Sequence, residues 1–151
     1  MTRRESFDFE MYLIDTNIIS EVGKGRRCDR HVAAWYRDTR DDELFLSVLV
    51  VGEIRQGIER LRPRNRQRAA ALEHWLQEIL TSFSDRILPI DERVAQVWGR
   101  MNAREPLAAV DSLLAATAEA HGMTLVTRNL KDIERSGARC LNPFEPVGSP
   151  E

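Results

Sequence analysis

Five carboxylate and amide side chains lie near predicted strand ends or on the helices between predicted strands. They are Asp15, Glu53, Asp111, Asn129 and Asp132. If the fold brings these positions together, the carboxylates repel one another. At neutral pH such repulsion is usually relieved by a bound hard cation such as Mg²⁺ or Mn²⁺. Mg²⁺ leaves positions for a phosphate oxygen and for a water that the metal makes more acidic. The residue types therefore indicate phosphodiester hydrolysis with one or two metal ions.

Each of these side chains also has a purely structural explanation. Asp15, Asp111 and Asn129 lie where helix N-caps are expected, and Asn129 has the capping-box spacing to Asp132. Glu53 lies inside its helix, where pairing of an exposed glutamate with a neighbouring arginine is the alternative. Only the joint pattern favours a metal site, and the sequence leaves both interpretations of each residue open.

Short apolar or β-branched runs alternate with amphipathic helices along the chain. The predicted strands are residues 11–14, 44–46, 87–90, 123–127 and 138–141. This alternation predicts an α/β fold with a parallel sheet of four to five strands, flanked by helices on both faces, that binds ligands at the carboxyl ends of its strands. Because Pro89 cannot donate to a central ladder, the third run is expected at an edge of the sheet.

Two predicted helices carry candidate residues. Ser47 is expected to cap a helix from residue 48 to about 61, which contains Glu53. Asp111 is expected to open an alanine-rich helix that ends at Gly122. The segment from Asn142 is proline-rich and is expected to be loose.

Length and charge restrict the interpretation. The chain has 151 residues, the size of one domain, and 22 Lys+Arg against 24 Asp+Glu give a net charge of -2. We expect a flexible extension at residues 1–10, one domain at 11–144 and a loose tail at 145–151. The overall charge carries no nucleic-acid signal. An alternating cluster of Arg60, Arg62, Arg64, Arg66 and Arg68 suits RNA phosphates, an acidic partner protein or simply a solvated turn.

Other chemistries lack their motifs. Neither a nucleophile elbow, nor a P-loop, nor a dinucleotide fingerprint is present, and the three histidines lack the H-E-x-x-H spacing. Cys28 and Cys140 have no zinc-site spacing. No window approaches the roughly 18 apolar residues of a membrane span, and the polar start lacks a signal-peptide core. We therefore expect a cytoplasmic protein that does not contact a membrane.

Four segments together resemble the PIN-domain family, and most closely its VapC-type toxins. They are residues 14–21 (IDTNIISE), 46–54 with the Gly52-Glu53-Ile54 end, 110–118 (VDSLLAATA) and 125–132 (LVTRNLKD). The four motifs occur in the family's order with family-like separations, and the resemblance covers residues 11 to about 144.

The resemblance implies a Rossmann-like sheet, Mg²⁺- or Mn²⁺-dependent endoribonuclease activity on RNA, homodimers and a cognate antitoxin. It places metal-binding catalytic acids at Asp15, Glu53 and Asp111. Many relatives have an aspartate directly after the Thr-Arg pair, where this chain has Asn129. Both Asn129 and Asp132 are therefore candidates for the fourth catalytic position. Supporting roles are expected for Thr16, Asn17, Ser47 and Thr127, and RNA phosphate contacts for Arg128, Arg60, Arg62 and Arg64.

Two other functions compete with this hypothesis. The first is a catalytically silent PIN-like module that binds RNA or a protein. The second is a phosphotransfer enzyme of the haloacid dehalogenase kind, which fits less well because Asn17 stands at the second acid of its D-x-D pattern.

Overall fold

The computed structural model describes residues 10–146, which form a five-stranded parallel sheet in the order β3-β2-β1-β4-β5. The strands are β1 (Tyr12–Ile14), β2 (Leu44–Ser47), β3 (Ile87–Leu88), β4 (Thr124–Val126) and β5 (Cys140–Leu141). The helices are α1 (Thr16–Val22), α2 (Arg30–Asp38), α3 (Val48–Leu61), α4 (Arg66–Ser82), α5 (Glu92–Arg104), α6 (Ala109–Ala120) and α7 (Leu130–Glu134). The predicted parallel α/β architecture is therefore confirmed, and β3 forms an edge as Pro89 indicated.

The strand order creates a crevice at the centre of the sheet. The chain passes from β1 to β2 on one side and later returns to β4 on the other side of β1. Right-handed crossovers then place α1 to α4 on one face and α5 to α7 on the other, and accordingly α1 contacts α2 and α3, while α6 contacts α5 and α7. The carboxyl ends of β1 and β4 thus flank the topological switch point, where such sheets bind ligands.

The central strands are fully buried because both faces of the sheet are covered. Leu13, Ile14 and Leu125 have no exposed surface, as expected for parallel strands between two helical layers. On one face the small side chains of Ala115 and Ala118 on α6 are also fully buried. The core therefore supports the two strand ends that carry Asp15 and Thr127.

The start of one predicted helix is confirmed and the start of another is not. The side chain of Ser47 accepts the Leu49 N–H at 3.0 Å and so caps α3, as predicted. The prediction that Asp111 opens its helix is wrong, because α6 begins at Ala109, with the Ala108 carbonyl accepting the Ser112 N–H at 2.9 Å. Alanine has the highest helix propensity, and the helix extends back through it. Asp111 consequently lies inside the first turn.

The segment after β5 is a hydrogen-bonded turn and not the loose chain that its prolines suggested. The side-chain oxygen of Asn142 accepts the Phe144 N–H at 3.0 Å, and its carbonyl accepts the Glu145 N–H at 3.2 Å. Predictions for residues 1–9 and 147–151 lie outside the described residues. Among residues 10–146, no helix is long and apolar enough to cross a membrane.

Candidate functional site

Asp15 lies at the carboxyl end of β1, and its carboxylate is held from three sides. Its Oδ1 accepts the Thr16 N–H at 2.7 Å, and its Oδ2 accepts the Thr127 hydroxyl at 2.8 Å and the Asn17 amide at 3.4 Å. Only 6% of the residue is exposed. Asp15 is therefore the N-cap of α1, and capping and ligand binding are compatible roles for this one carboxylate.

Thr127 and Asn17 join the ends of β1 and β4 beneath this carboxylate. The fully buried Thr127 hydroxyl accepts the Asn129 N–H at 3.0 Å as well as donating to Asp15. The side-chain oxygen Oδ1 of Asn17 accepts the Arg128 N–H at 3.2 Å. Both supporting residues thus fix the backbone at the switch point.

Glu53 comes to the same place from α3. The Thr16 hydroxyl donates to its Oε1 at 2.6 Å, while Ser47 fixes the start of the helix that carries it. The alternative of a Glu53–arginine pair is excluded within the described residues, where no basic side chain forms an ion pair with it. Thr16 therefore links the first two candidate acids.

Asp111 and Asp132 approach the site from the other helical layer. Asp111 makes no side-chain hydrogen bond within residues 10–146, so its oxygens are available to a ligand. It lines a cavity of about 300 Å³ together with Asp132, Arg135 and a wall formed by residues 106–108. Burial raises the pKa of Asp111, and the negative charges of Asp132 and Glu53 raise it further.

The carboxylates form one electrostatic cluster. Burial raises the pKa of Asp15, the hydrogen bonds from Thr127 and Thr16 lower it, and the charges of Glu53 and Asp111 raise it again. In the described part of the chain no lysine, arginine or histidine forms an ion pair with any of these acids or with Asp132. Within residues 10–146 this negative charge is therefore not neutralised by ion pairs.

The chemistry of this donor set fits a hard divalent cation. Carboxylate oxygens are the ligands that Mg²⁺ and Mn²⁺ prefer, and a cation relieves the mutual repulsion of the acids. Among residues 10–146 no three acidic, histidine or cysteine side chains are already arranged as a complete metal site. The donor set therefore suits a metal ion in its oxygen type and its charge. Within the described residues the Asp111 side chain and Oε2 of Glu53 form no hydrogen bonds.

Asn129 donates its backbone N–H to the hydrogen bonds at the end of β4, and its side chain makes no hydrogen bond within the described residues. It stands at the N-cap of α7, but its amide makes no capping bond, so the predicted capping box with Asp132 is wrong. Its N–H is bound by Thr127 instead. Asp132, through its charge on Asp111, is the better placed of the two candidates for the fourth position.

The arginines with predicted phosphate contacts divide into two groups. Arg128 follows Thr127 directly, and its Cζ lies 4.2 Å from the centre of the Phe144 ring. Arg62 instead pairs with Glu59 and Glu73 at 2.9 and 3.2 Å, which ties α3 to α4.

The other two arginines with predicted phosphate contacts lie on either side of Arg62 in the sequence. Arg60 is seven residues after Glu53, about 10 Å further along the helix axis, and Arg64 lies in the turn that follows α3. Of the four arginines with predicted phosphate contacts, only Arg128 therefore adjoins a residue that binds Asp15.

Phe144 was missed by the sequence analysis, because a phenylalanine after the last strand carries no local signal. The hydrogen bond from the Trp98 indole N–H to Ser112 Oγ, 2.9 Å long, was missed for the same reason. It anchors the first turn of α6 beside Asp111.

Comparison with known proteins gives concordant results. Residues 12–136 match the model of the family described as PIN domain. The chain is 32% identical to VapC ribonuclease Y4jK of Sinorhizobium fredii, covering 91% of this chain and 100% of that protein. It is also 32% identical to Toxin FitB of Neisseria gonorrhoeae, covering 89% and 99%. The crystal structure of FitAcB from Neisseria gonorrhoeae matches with a TM-score of 0.81 at 32% identity, over 89% of this chain and 99% of that one.

Proposed function

The chain belongs to the PIN-domain family, and from this premise we propose that it is a toxin endoribonuclease of the VapC type. Relatives that carry the names ribonuclease and toxin match over nearly their whole length. A shared fold alone does not assign an activity, because function depends on the site. The proposal therefore also needs the chemistry of the carboxylate cluster.

The observation that carries the proposal is the unbalanced negative charge at the switch point. Asp15, Glu53 and Asp111 interact electrostatically, and no basic side chain among residues 10–146 pairs with them. We assign these three acids to an Mg²⁺ or Mn²⁺ ion. When bound, such an ion lowers the pKa of a water molecule and offsets the negative charge of the reacting phosphate.

The residues around the acids have separate tasks in RNA hydrolysis. Thr127 and Asn17 hold the Asp15 carboxylate in one orientation, and Thr16 does the same for Glu53. Asp111 keeps its oxygens free for a ligand, and Asp132 adds negative charge beside it. Arg128 offers a guanidinium to a phosphate of the RNA. Hydrolysis of a phosphodiester follows from this set, with the protein supplying position and charge.

The partners follow from the activity. A ribonuclease that cuts its own cell's RNA needs a neutralising partner, which we propose is an antitoxin protein. We also propose a homodimer, as the PIN-family toxin resemblance implies, and a cytoplasmic location, where the RNA substrate is found.

The deciding experiment measures RNA cleavage by the purified, partner-free protein with Mg²⁺, with Mn²⁺ and with chelator. Asp15→Asn and Asp111→Asn are expected to reduce the rate by at least about 100-fold, since loss of outer-shell partners alone typically costs about 10- to 100-fold. Asp85→Asn is the matched control, because Asp85 is exposed and precedes β3, so that it lies at the amino ends of the parallel strands, away from the site.

Two results would contradict the proposal. Cleavage that persists in chelator, or that both aspartate variants retain, would exclude the assigned mechanism. Binding of RNA without cleavage under every condition, combined with no growth arrest on expression in cells, would favour the silent PIN-like module.

A further inference from the structure

Phe144 holds the side chain of Arg128 at the edge of the candidate site. The Arg128 Cζ lies over the Phe144 ring, 4.2 Å from its centre, which is the geometry of a cation–π interaction. β5 pairs with β4, so the turn after β5 lies at the same sheet edge as the residues after β4. The contact therefore joins the end of the fifth strand to the residue that follows Thr127.

The position of the ring is itself fixed by hydrogen bonds. Asn142 closes a turn by accepting the Phe144 N–H with its side chain and the Glu145 N–H with its carbonyl. Phe144 is half-buried and packs on the edge of the core. The ring therefore has a fixed position, and the guanidinium packs against it.

The backbone of Arg128 is held as firmly as its side chain. Its N–H donates to Asn17, whose amide donates in turn to Asp15. In the described part of the chain no carboxylate forms an ion pair with Arg128, whereas Arg62 and Arg55 are both paired with Glu73. Within the described residues the positive charge of Arg128 is therefore not neutralised, and it belongs to the residue that follows Thr127, which binds Asp15.

We propose that Phe144 is a positioning residue that orients the Arg128 guanidinium toward a phosphate of the RNA next to the cleaved bond. Stacking covers one face of the guanidinium and leaves its N–H edge free, and this planar edge matches two phosphate oxygens. Holding the long side chain in place before RNA binds reduces the conformational entropy lost on binding. This inference rests on the proposed ribonuclease function.

The test measures binding of a fluorescein-labelled single-stranded RNA of mixed sequence to the full chain, by anisotropy in chelator at several salt concentrations. Phe144→Leu keeps an apolar side chain but removes the ring, and should weaken binding about 2- to 10-fold, because the long Arg128 side chain must then be ordered when RNA binds. Phe144→Tyr should restore the affinity. Arg128→Ala should lower the salt slope by about 0.7, the value for one phosphate contact on a single strand.

A double-mutant cycle separates positioning from general stability. In the Arg128→Ala background, Phe144→Leu should have no further effect on binding, because the residue it positions is absent. Equal weakening in both backgrounds, or unchanged binding in Phe144→Leu, would overturn the inference. Thermal unfolding shows whether each variant is folded, and Phe144→Met replaces Phe144→Leu if the latter does not fold.

Failure of this inference is distinguishable from failure of the proposed function. If the wild-type protein binds and cuts RNA but Arg128→Ala binds RNA equally well, only the inference is wrong, and an acidic partner protein becomes the ligand to test at this arginine. If the wild-type protein neither binds nor cuts RNA, the proposed function fails with it.

Discussion

Replacing Thr127 by valine removes the hydroxyl that supports Asp15 while keeping nearly the same shape. The hydroxyl donates to the Asp15 carboxylate at 2.8 Å and accepts the Asn129 N–H at 3.0 Å, in a residue with no exposed surface. A hydrogen bond to a charged group contributes about 1.5–3 kcal/mol and a neutral one about 1 kcal/mol. The added methyl group recovers about 0.8 kcal/mol by burial.

We therefore expect Thr127→Val to lower the free energy of unfolding by about 2–3 kcal/mol at neutral pH. For a chain of this size the melting temperature should fall by roughly 5–10 °C. Urea unfolding of the metal-free protein measures the free energy. Thr124→Val is the matched control, because Thr124 lies on β4, which Thr127 directly follows, and its side chain makes no hydrogen bond in the described part of the chain.

The pH dependence tests whether the effect acts through Asp15. Burial raises the pKa of Asp15, and the Thr127 hydrogen bond lowers it, so the variant should have a pKa raised further. As the pH falls through these raised values toward the ordinary 3.8, the carboxyl becomes neutral and needs its donor less. The difference from wild type should then shrink. A loss of less than about 0.5 kcal/mol, the size of a neutral surface substitution, would refute the reasoning, as would a difference independent of pH.

Two further predictions concern the acids and the cap of α3. Asp111→Asn should stabilise the metal-free protein at neutral pH, and the advantage should vanish as the pH falls through the raised pKa of Asp111 toward 3.8, where the wild-type carboxyl is neutral as well. Mg²⁺ at 100 times its dissociation constant should stabilise the wild type by about 2.7 kcal/mol in thermal unfolding but Asp111→Asn far less, and equal effects would contradict the ligand role. Ser47→Ala should cost about 1 kcal/mol in urea unfolding, since it removes the N-cap of the helix that carries Glu53, and an unchanged midpoint would show that the cap is dispensable.

Local sequence patterns were sufficient to predict the helices and strands and to recognise the motifs in their order. Apolar runs followed by Asp15 and by Ser47 predicted strands ending in helix caps, because capping depends on residues two or three positions apart. The parallel sheet, its edge strand at β3 and the family followed from the same patterns. The roles of the site residues in binding metal and RNA stay predictions.

The sequence failed where neighbouring residues compete or where contacts are remote. The helix α6 begins at Ala109, with Ala108 as its N-cap, and not at Asp111, which was expected to open it. The high helix propensity of alanine outweighed the preference of aspartate for a helix start. Asn142 turned a proline-rich segment into a fixed turn through one side-chain hydrogen bond. In both cases the conformation followed a different local preference from the one on which the prediction was based: helix propensity for α6, and side-chain hydrogen bonding for the turn.

The sequence by itself determined which side chains are available and where each strand ends, because strand and helix signals are contained in short windows. The tertiary structure decided which of those side chains meet. Thr127 binds Asp15 across 112 positions of sequence, Asp132 raises the pKa of Asp111, and Phe144 supports Arg128. These contacts exist because β4 lies beside β1 and β5 lies beside β4, and strand order is a property of the packed sheet that no short window contains.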